Sequence, residues 1–303
     1  MSTIFKPSSH SCFTLEEARA ILRRDMIPKI EDLRRSPGRI VCIAPSNTEI
    51  LYALGAQDRI VGVSRFCDYP PEAKGKPRCG GFLDPGIDSI LALKPDLVLA
   101  QSFLQEDAVK ALAHHEVRVV CFSCTSLSEL LEDILLLGRL VEREPAAEEL
   151  VASMHDELLR LGEHGRLLVS RTGRKPRVHL EEWGPQEPYY IAGDWAAEML
   201  AIAGAGNAFS DRNLRCPSPQ RTCTAEEIAA RDPDIIITAW CGCSEKVNLD
   251  RVRSRPGLSE SRAVKSGWLR MIDDRYVMRP GPRIVEGVRR MQAVVEDWQQ
   301  DMA

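Results

Sequence analysis

One arrangement occurs twice in this chain. ILALKPDLVLA (90–100) and EIAARDPDIIITA (227–239) each read as a short helix, a Pro-Asp break and an apolar strand. TEILYALGA (48–56) and AEMLAIAGA (197–205) repeat a second pattern, a helix that runs into a glycine. A strand that is apolar throughout must be covered on both faces, and alternation with helices supplies the cover. Two copies of the unit therefore predict two lobes of similar build, each with a parallel sheet.

The rest of the chain extends both copies. Apolar runs predict strands over 39–44, 59–64, 96–101 and 117–122, then over 177–183, 234–240 and 275–281. Helices are expected between them: one after Pro45, capped by Asn47 or Thr48 and ended by Gly55, then 87–94, 105–115, 195–204, 224–231 and a last one from about 283. Residues 126–168 break the alternation. They carry apolar residues three and four apart with Pro145 among them and no strand, so they predict long helices between the lobes. The expected fold class is α/β: two Rossmann-like lobes joined by a long backbone helix, with a ligand cleft between. The expected segments are an N-terminal helical extension (1–38), a first lobe (39–143), a bridging helix (144–170) and a second lobe (171–303).

A length of 303 residues allows two domains with their own cores. A net charge of −4 argues against a nucleic-acid partner, which needs a basic face. No run approaches the ~20 apolar residues of a spanning helix, so no membrane segment is expected. The amino terminus is polar and then amphipathic over 14–35, without the charged start and apolar stretch of a secretory signal. That predicts a cytoplasmic protein; the alternative is a misassigned start and a periplasmic or otherwise extracytoplasmic one.

Ligands of open parallel sheets bind beyond the carboxyl ends of the strands, and two facing lobes place those ends on one cleft. The residues that follow the strands are thus candidate ligand contacts: Phe66 and Cys67, Ser102, Trp183 with Tyr189 and Trp195, Trp240, and Arg279. Asp68, Glu181, Glu182 and Asp194 are acids in the same positions. Aromatics make up only 6% of the chain, yet several gather here, where flat apolar rings give large contact at low entropic cost.

Ten cysteines admit a second reading. Thiolates are soft ligands, and Cys67, Cys79, Cys216, Cys241 and Cys243 fall in loops expected near the cleft, so a cysteine-bound metal or iron–sulfur cluster is the alternative function. Against it, Cys241-Gly-Cys243 is a C-x-C with no second pair at finger spacing. There is no G-x-S-x-G, H-E-x-x-H or P-loop, and no catalytic role is expected.

SNTEIL, DYPPEA, GGF and ALKPDLVLA in the first half, with EMLAIAGAGNAF (198–209), Ser218-Pro-Gln and RPGPRIVEG (279–287) in the second, resemble one family. It is the helical-backbone (class III) substrate-binding proteins of ABC importers for cobalamin, haem and iron siderophores, and the cobalamin branch is the most similar. The resemblance implies two α/β lobes on one long helix, a preformed cleft, non-catalytic binding of cobalamin or a similar metal chelate, and an ABC permease as partner. It places Phe66 and Phe82 on the ligand in the first lobe. In the second, Ser218 stands where the family has an aromatic, with Trp183, Tyr189 or Trp240 left to compensate. It also assigns Asp88 and Glu226 to docking on the permease. Cys67-Asp68-Tyr69-Pro70 and Cys241-Gly242 match a branch of that family without signal peptides.

Overall fold

The computed structural model describes residues 36–215, 220–243 and 246–302. The expected helix over 14–35, Cys216 and Ser218 lie outside them. The first lobe runs β1 (Ile40–Cys42), α1 (Pro45–Ala53), β2 (Ile60–Val63), α2 (Ile87–Ala92), β3 (Leu97–Gln101), α3 (Glu106–His114), β4 (Val119–Phe122) and α4 (Leu127–Leu140). Its sheet has the order β2-β1-β3-β4 and is parallel throughout. β1 and β3 are buried along their whole length, as strands covered by helices on both faces must be.

Two helices replace the strandless stretch. Ser126 caps α4 by accepting from the Glu129 amide. α5 then spans Glu144–Thr172, 29 residues with Pro145 in its first turn, and stops at Gly173 in the left-handed region. A helix of that length reaches about 43 Å. It joins the lobes, and its apolar stripe of Met154, Leu158 and Leu161 belongs to a core shared with both.

The second lobe runs β5 (Arg177–Trp183), β6 (Tyr189–Ile191), α6 (Asp194–Ile202), β7 (Gly206–Asn207), β8 (Thr222–Cys223), α7 (Ala225–Arg231), β9 (Ile235–Thr238), α8 (Leu249–Arg253), α9 (Arg262–Lys265), β10 (Leu269–Met271) and α10 (Ile284–Asp301). Its sheet has the order β10-β9-β5-β6-β8, with β7 beside β5. It is mixed rather than parallel, because β6 runs antiparallel to β5 and β8. The cause is loop length: only Gly184 to Pro188 separate β5 from β6, and a parallel return needs about a dozen residues.

Two further expectations are corrected. No strand forms over 275–281; the edge strand is β10, and Asp274–Tyr276 is a 3-10 turn set by Asp273, whose carboxylate accepts from the Arg275 amide. The pattern hid β10 because Arg270 interrupts its short apolar run, which an edge strand tolerates. In α1, Ala44 holds the cap position without a side-chain bond. The Asn47 amide instead donates to Ala100 O, and the Thr48 hydroxyl to Cys67 Sγ.

Gly165 lets α5 touch the end of α6. A Cβ there would lie 2.3 Å from the carbonyl oxygen of Ile202, a backbone atom that no rotamer change can move. Gly165→Ala gains about 1 kcal/mol of helix propensity, but the overlap costs about 1–3 kcal/mol. A net fall in the urea midpoint is expected; a raised midpoint would mean the helices do not approach this closely. Among the described residues, no helix is long and apolar enough to cross a membrane.

Candidate functional site

The loop after β2 is held rigidly. Arg78 donates to the carbonyls of Ser64 and Cys67 at 2.9 and 2.8 Å, and the Arg65 amide donates to Gly80 O. This frame leaves Phe66 41% and Tyr69 44% exposed. Leu83 and Leu104, on the neighbouring loops, are exposed as well. Large apolar side chains rarely gather on a solvent edge without a partner.

The loops after β5 and β9 are built on a buried carboxylate. Glu181 accepts from both terminal nitrogens of Arg255 and from the Trp240 indole, each at 2.7 Å, and pairs with His179 Nε2 at 3.1 Å. Arg255 also donates to Gly184 O and lies 3.6 Å above the Tyr189 ring. Burial alone would raise the Glu181 carboxyl; the bonds from Arg255 and His179 outweigh it and hold it below its ordinary value. Beside it, Arg221 bonds Glu182, Asp194 and Ile191 O. Trp183, the next residue, is 42% exposed.

The two lobes meet through charge. Glu49, buried in α1, receives a two-pronged bond from Arg283, with Nε–Oε2 at 2.7 Å. Arg279 Nη1 lies 3.4 Å from Glu49 and 2.6 Å from Asp68 Oδ1. Arg275 binds Asp273 and sits 3.6 Å from Asp68. The Arg283 guanidinium lies 4.2 Å from the Tyr69 ring and 5.2 Å from Tyr276, one ring from each lobe. Glu49 and Asp68 come from the first lobe, and Asp273 and the three arginines from the second. A line of contacts then continues from Arg275 to its neighbour Asp274, which accepts from the Gly242 amide, and from Cys241 N to Glu182 O beside Trp183. The carboxyl-end loops of the two lobes thus meet at a set of ion pairs, with Phe66 and Tyr69 exposed on the first lobe's loop and Trp183 at the end of β5.

The sequence-derived candidates divide. Phe66 and Trp183 are exposed on these loops, and Arg279 lies among the ion pairs. Phe82 is half-buried, its carbonyl accepting from Gln105. Ser102 is half-buried and caps the following 3-10 turn, accepting from the Leu104 amide. Trp195 donates its indole N–H to Val277 O. Trp240 and Tyr189 are turned into the second lobe's core, because Glu181 and Arg255 draw them inward. Asp88 and Glu226 are exposed in the first turns of α2 and α7.

Among the described residues the thiols do not assemble. Cys67 and Cys79 are buried in the first lobe, and burial pushes the Cys67 thiol up to about 11. Cys243 is half-buried in the second lobe. Cys241 is exposed, and desolvation by its neighbours, with the charges of Glu182 and Asp274, raises its thiol well above the ordinary range. Such a thiol stays protonated at neutral pH and ligates poorly. Among the described residues, no group of three or more His, Cys, Asp or Glu is placed to hold a metal ion.

Residues 40–276 match the periplasmic binding protein family. The chain belongs to that family. Over 265 residues it is 32% identical to an uncharacterized ABC transporter substrate-binding lipoprotein, YvrC, of Bacillus subtilis, covering 86% of this chain and 80% of that one. It is 27% identical over 272 residues to a cobalamin-binding protein of Halobacterium salinarum, covering 86% of this chain and 69% of the other. The fold matches a possible iron-binding (periplasmic solute-binding) protein of Staphylococcus epidermidis at a TM-score of 0.71 and 30% identity, over 86% of this chain and 99% of that one. The two-lobed fold on a long helix is therefore the family's.

Sequence reasoning missed Glu49, Arg283 and Arg255. Glu49 had a signal: it is the one acid in the apolar helix PSNTEILYA, and a charge on a face bound for the interior needs a partner. The partner lies 234 residues away, beyond any local pattern.

Proposed function

We propose that this protein is a non-catalytic receptor that holds cobalamin, another corrinoid or a similar metal chelate in the cleft between its lobes. What supports this reading is the exposure of large aromatics on both lobes, Phe66 and Tyr69 on one and Trp183 on the other, beside the inter-lobe contacts of Arg279. Flat rings from two walls suit a flat macrocycle, and the inter-lobe ion pairs, as the floor of the cleft, resist its collapse around nothing. Phe82, Ser102 and Arg279 add polar and apolar edges to the same site. The relative named for cobalamin binding supports the ligand class. The relative named as an ABC transporter lipoprotein supports delivery to an ABC permease, with Asp88 and Glu226 as the docking pair, one on each lobe. That role is extracytoplasmic, and fractionation of the untagged protein tests it.

The decisive measurement is an absorption spectrum of the folded protein after mixing with hydroxocobalamin and desalting. A corrin band retained at about one per chain is expected; its absence removes corrinoids as the ligand. Phe66→Ala and Trp183→Ala should each weaken retention about fivefold or more, as hot-spot aromatics do. Unchanged affinity in both variants would take the aromatic walls out of the site.

A further inference from the structure

Each guanidinium on the cleft floor is already matched by an acid. Arg283 is held by Glu49, Arg279 by Glu49 and Asp68, and Arg275 by Asp273 and Asp68. Glu182 and Asp274 stand beside Cys241, Glu182 bonded to Arg221 and Asp274 to the Gly242 amide. The floor is therefore neutral to acidic although three arginines line it. Of these acids, Asp68 is the one at the edge. Like Glu49 it meets two arginines, but it lies on the loop that presents Phe66 and Tyr69 and its side chain is 31% exposed, whereas Glu49 and Asp273 are deeply buried. Removing it would leave Arg275 forked on Asp273 and Arg279 3.4 Å from Glu49, and would open Nη1 of each to an incoming carboxylate.

We propose that Asp68 is a specificity-determining residue of the cleft: by occupying Arg275 and Arg279 it turns away chelates with free carboxylates and favours those with a neutral or cationic edge, amide-bearing corrinoids among them. The inference rests on the reading of the cleft as a chelate site. A carboxylate entering the cleft meets an acid already seated on the two arginines, so it must displace Asp68 or lie beside it, and like charges in a desolvated site are costly. An amide edge donates to Asp68 and displaces nothing. Burial alone would raise the Asp68 carboxyl, but the bond and charge of Arg279 hold it below the usual range. The acid therefore stays ionised at neutral pH.

The test compares two probes, hydroxocobalamin and the dicarboxylate hemin, by equilibrium titration of the wild-type protein and two variants. Wild type should bind hydroxocobalamin more tightly than hemin. Asp68→Asn should raise hemin affinity about tenfold, the scale of one charge-assisted bond gained, with a much smaller change for hydroxocobalamin. Arg279→Gln leaves the acids in excess and should move hemin the other way, which keeps the test decisive if either variant alone is unstable in thermal unfolding. Equal shifts for both probes in both variants, or a wild type that prefers hemin, would overturn the selector while leaving the chelate site standing. Binding of neither probe by folded wild type and Asp68→Asn would sink the chelate reading along with it.

Discussion

Replacing Glu181 with alanine is expected to destabilise the protein by about 3–5 kcal/mol, the scale for removing one partner of a buried ion pair. Glu181 and His179 are fully buried, and Arg255 and Trp240 nearly so. Without the carboxylate, a buried guanidinium loses both charge-assisted bonds and the Trp240 indole loses its acceptor. What remains for Arg255 is the Gly184 carbonyl and the Tyr189 ring. Unfolding in urea should show the loss as a lower midpoint, and Trp240 should report it in fluorescence. Replacing the pair together, as in Glu181→Leu with Arg255→Met, should cost far less, since no orphaned charge is left. Equal losses from the single and the double change would refute this account. The pH dependence follows from the sign of the shift. The folded Glu181 carboxyl lies below its unfolded value, so its contribution is present above the ordinary carboxylate range and is lost as pH falls through the folded value.

Arg283→Ala is expected to have a comparable effect at neutral pH, about 3–5 kcal/mol, with a deficit that fades at a higher pH than that of Glu181→Ala, because the Glu49 carboxyl is raised and the Glu181 carboxyl lowered. Arg283 is the two-pronged partner of buried Glu49 and the cation between Tyr69 and Tyr276. Burial raises the Glu49 carboxyl even with both arginines present, and removing Arg283 removes the stronger of the two opposing influences. A carboxyl raised in the folded state destabilises as pH climbs through its folded value and relaxes as pH falls below it. The deficit of Arg283→Ala relative to wild type should therefore shrink between pH 8 and pH 5, as Glu49 takes up a proton. Urea midpoints at the two pH values measure it. A deficit of the same size at both would show that Glu49 is not left as a buried charge.

These two residues also mark the limit of local pattern. Glu181 stands in a strand, RVHLEEW, whose second acid, Glu182, follows at once. Period and composition place both beyond a strand end, but they cannot tell that one faces the interior and the other Arg221. Trp240 shows the same limit: a tryptophan after a strand in a cleft loop reads as a ligand contact until Arg255 and Glu181, from two other segments, turn it inward. The cysteines read as convergent because their loops converge, yet Cys67 and Cys79 belong to the core.

Other features were open to local reading because their causes are local. The repeated helix–Pro-Asp–strand unit, strands apolar on both faces, and the strandless stretch that becomes α4 and α5 are set by residues within a turn or two of each other. So are the paired lobes and the place of the cleft, since parallel strands put their carboxyl ends on one edge. Strand direction in β6 was also local, a matter of the short span from Gly184 to Pro188, but it carries no hydrophobic period and so escaped notice. The ionic floor was out of reach for a different reason. Asp68 and Arg279 lie 211 positions apart, Glu49 and Arg283 234 apart, and charge pairing has neither period nor fixed spacing. Hydrophobic periodicity selects the elements one by one; which charges they bring face to face is decided only when the two lobes close on α5.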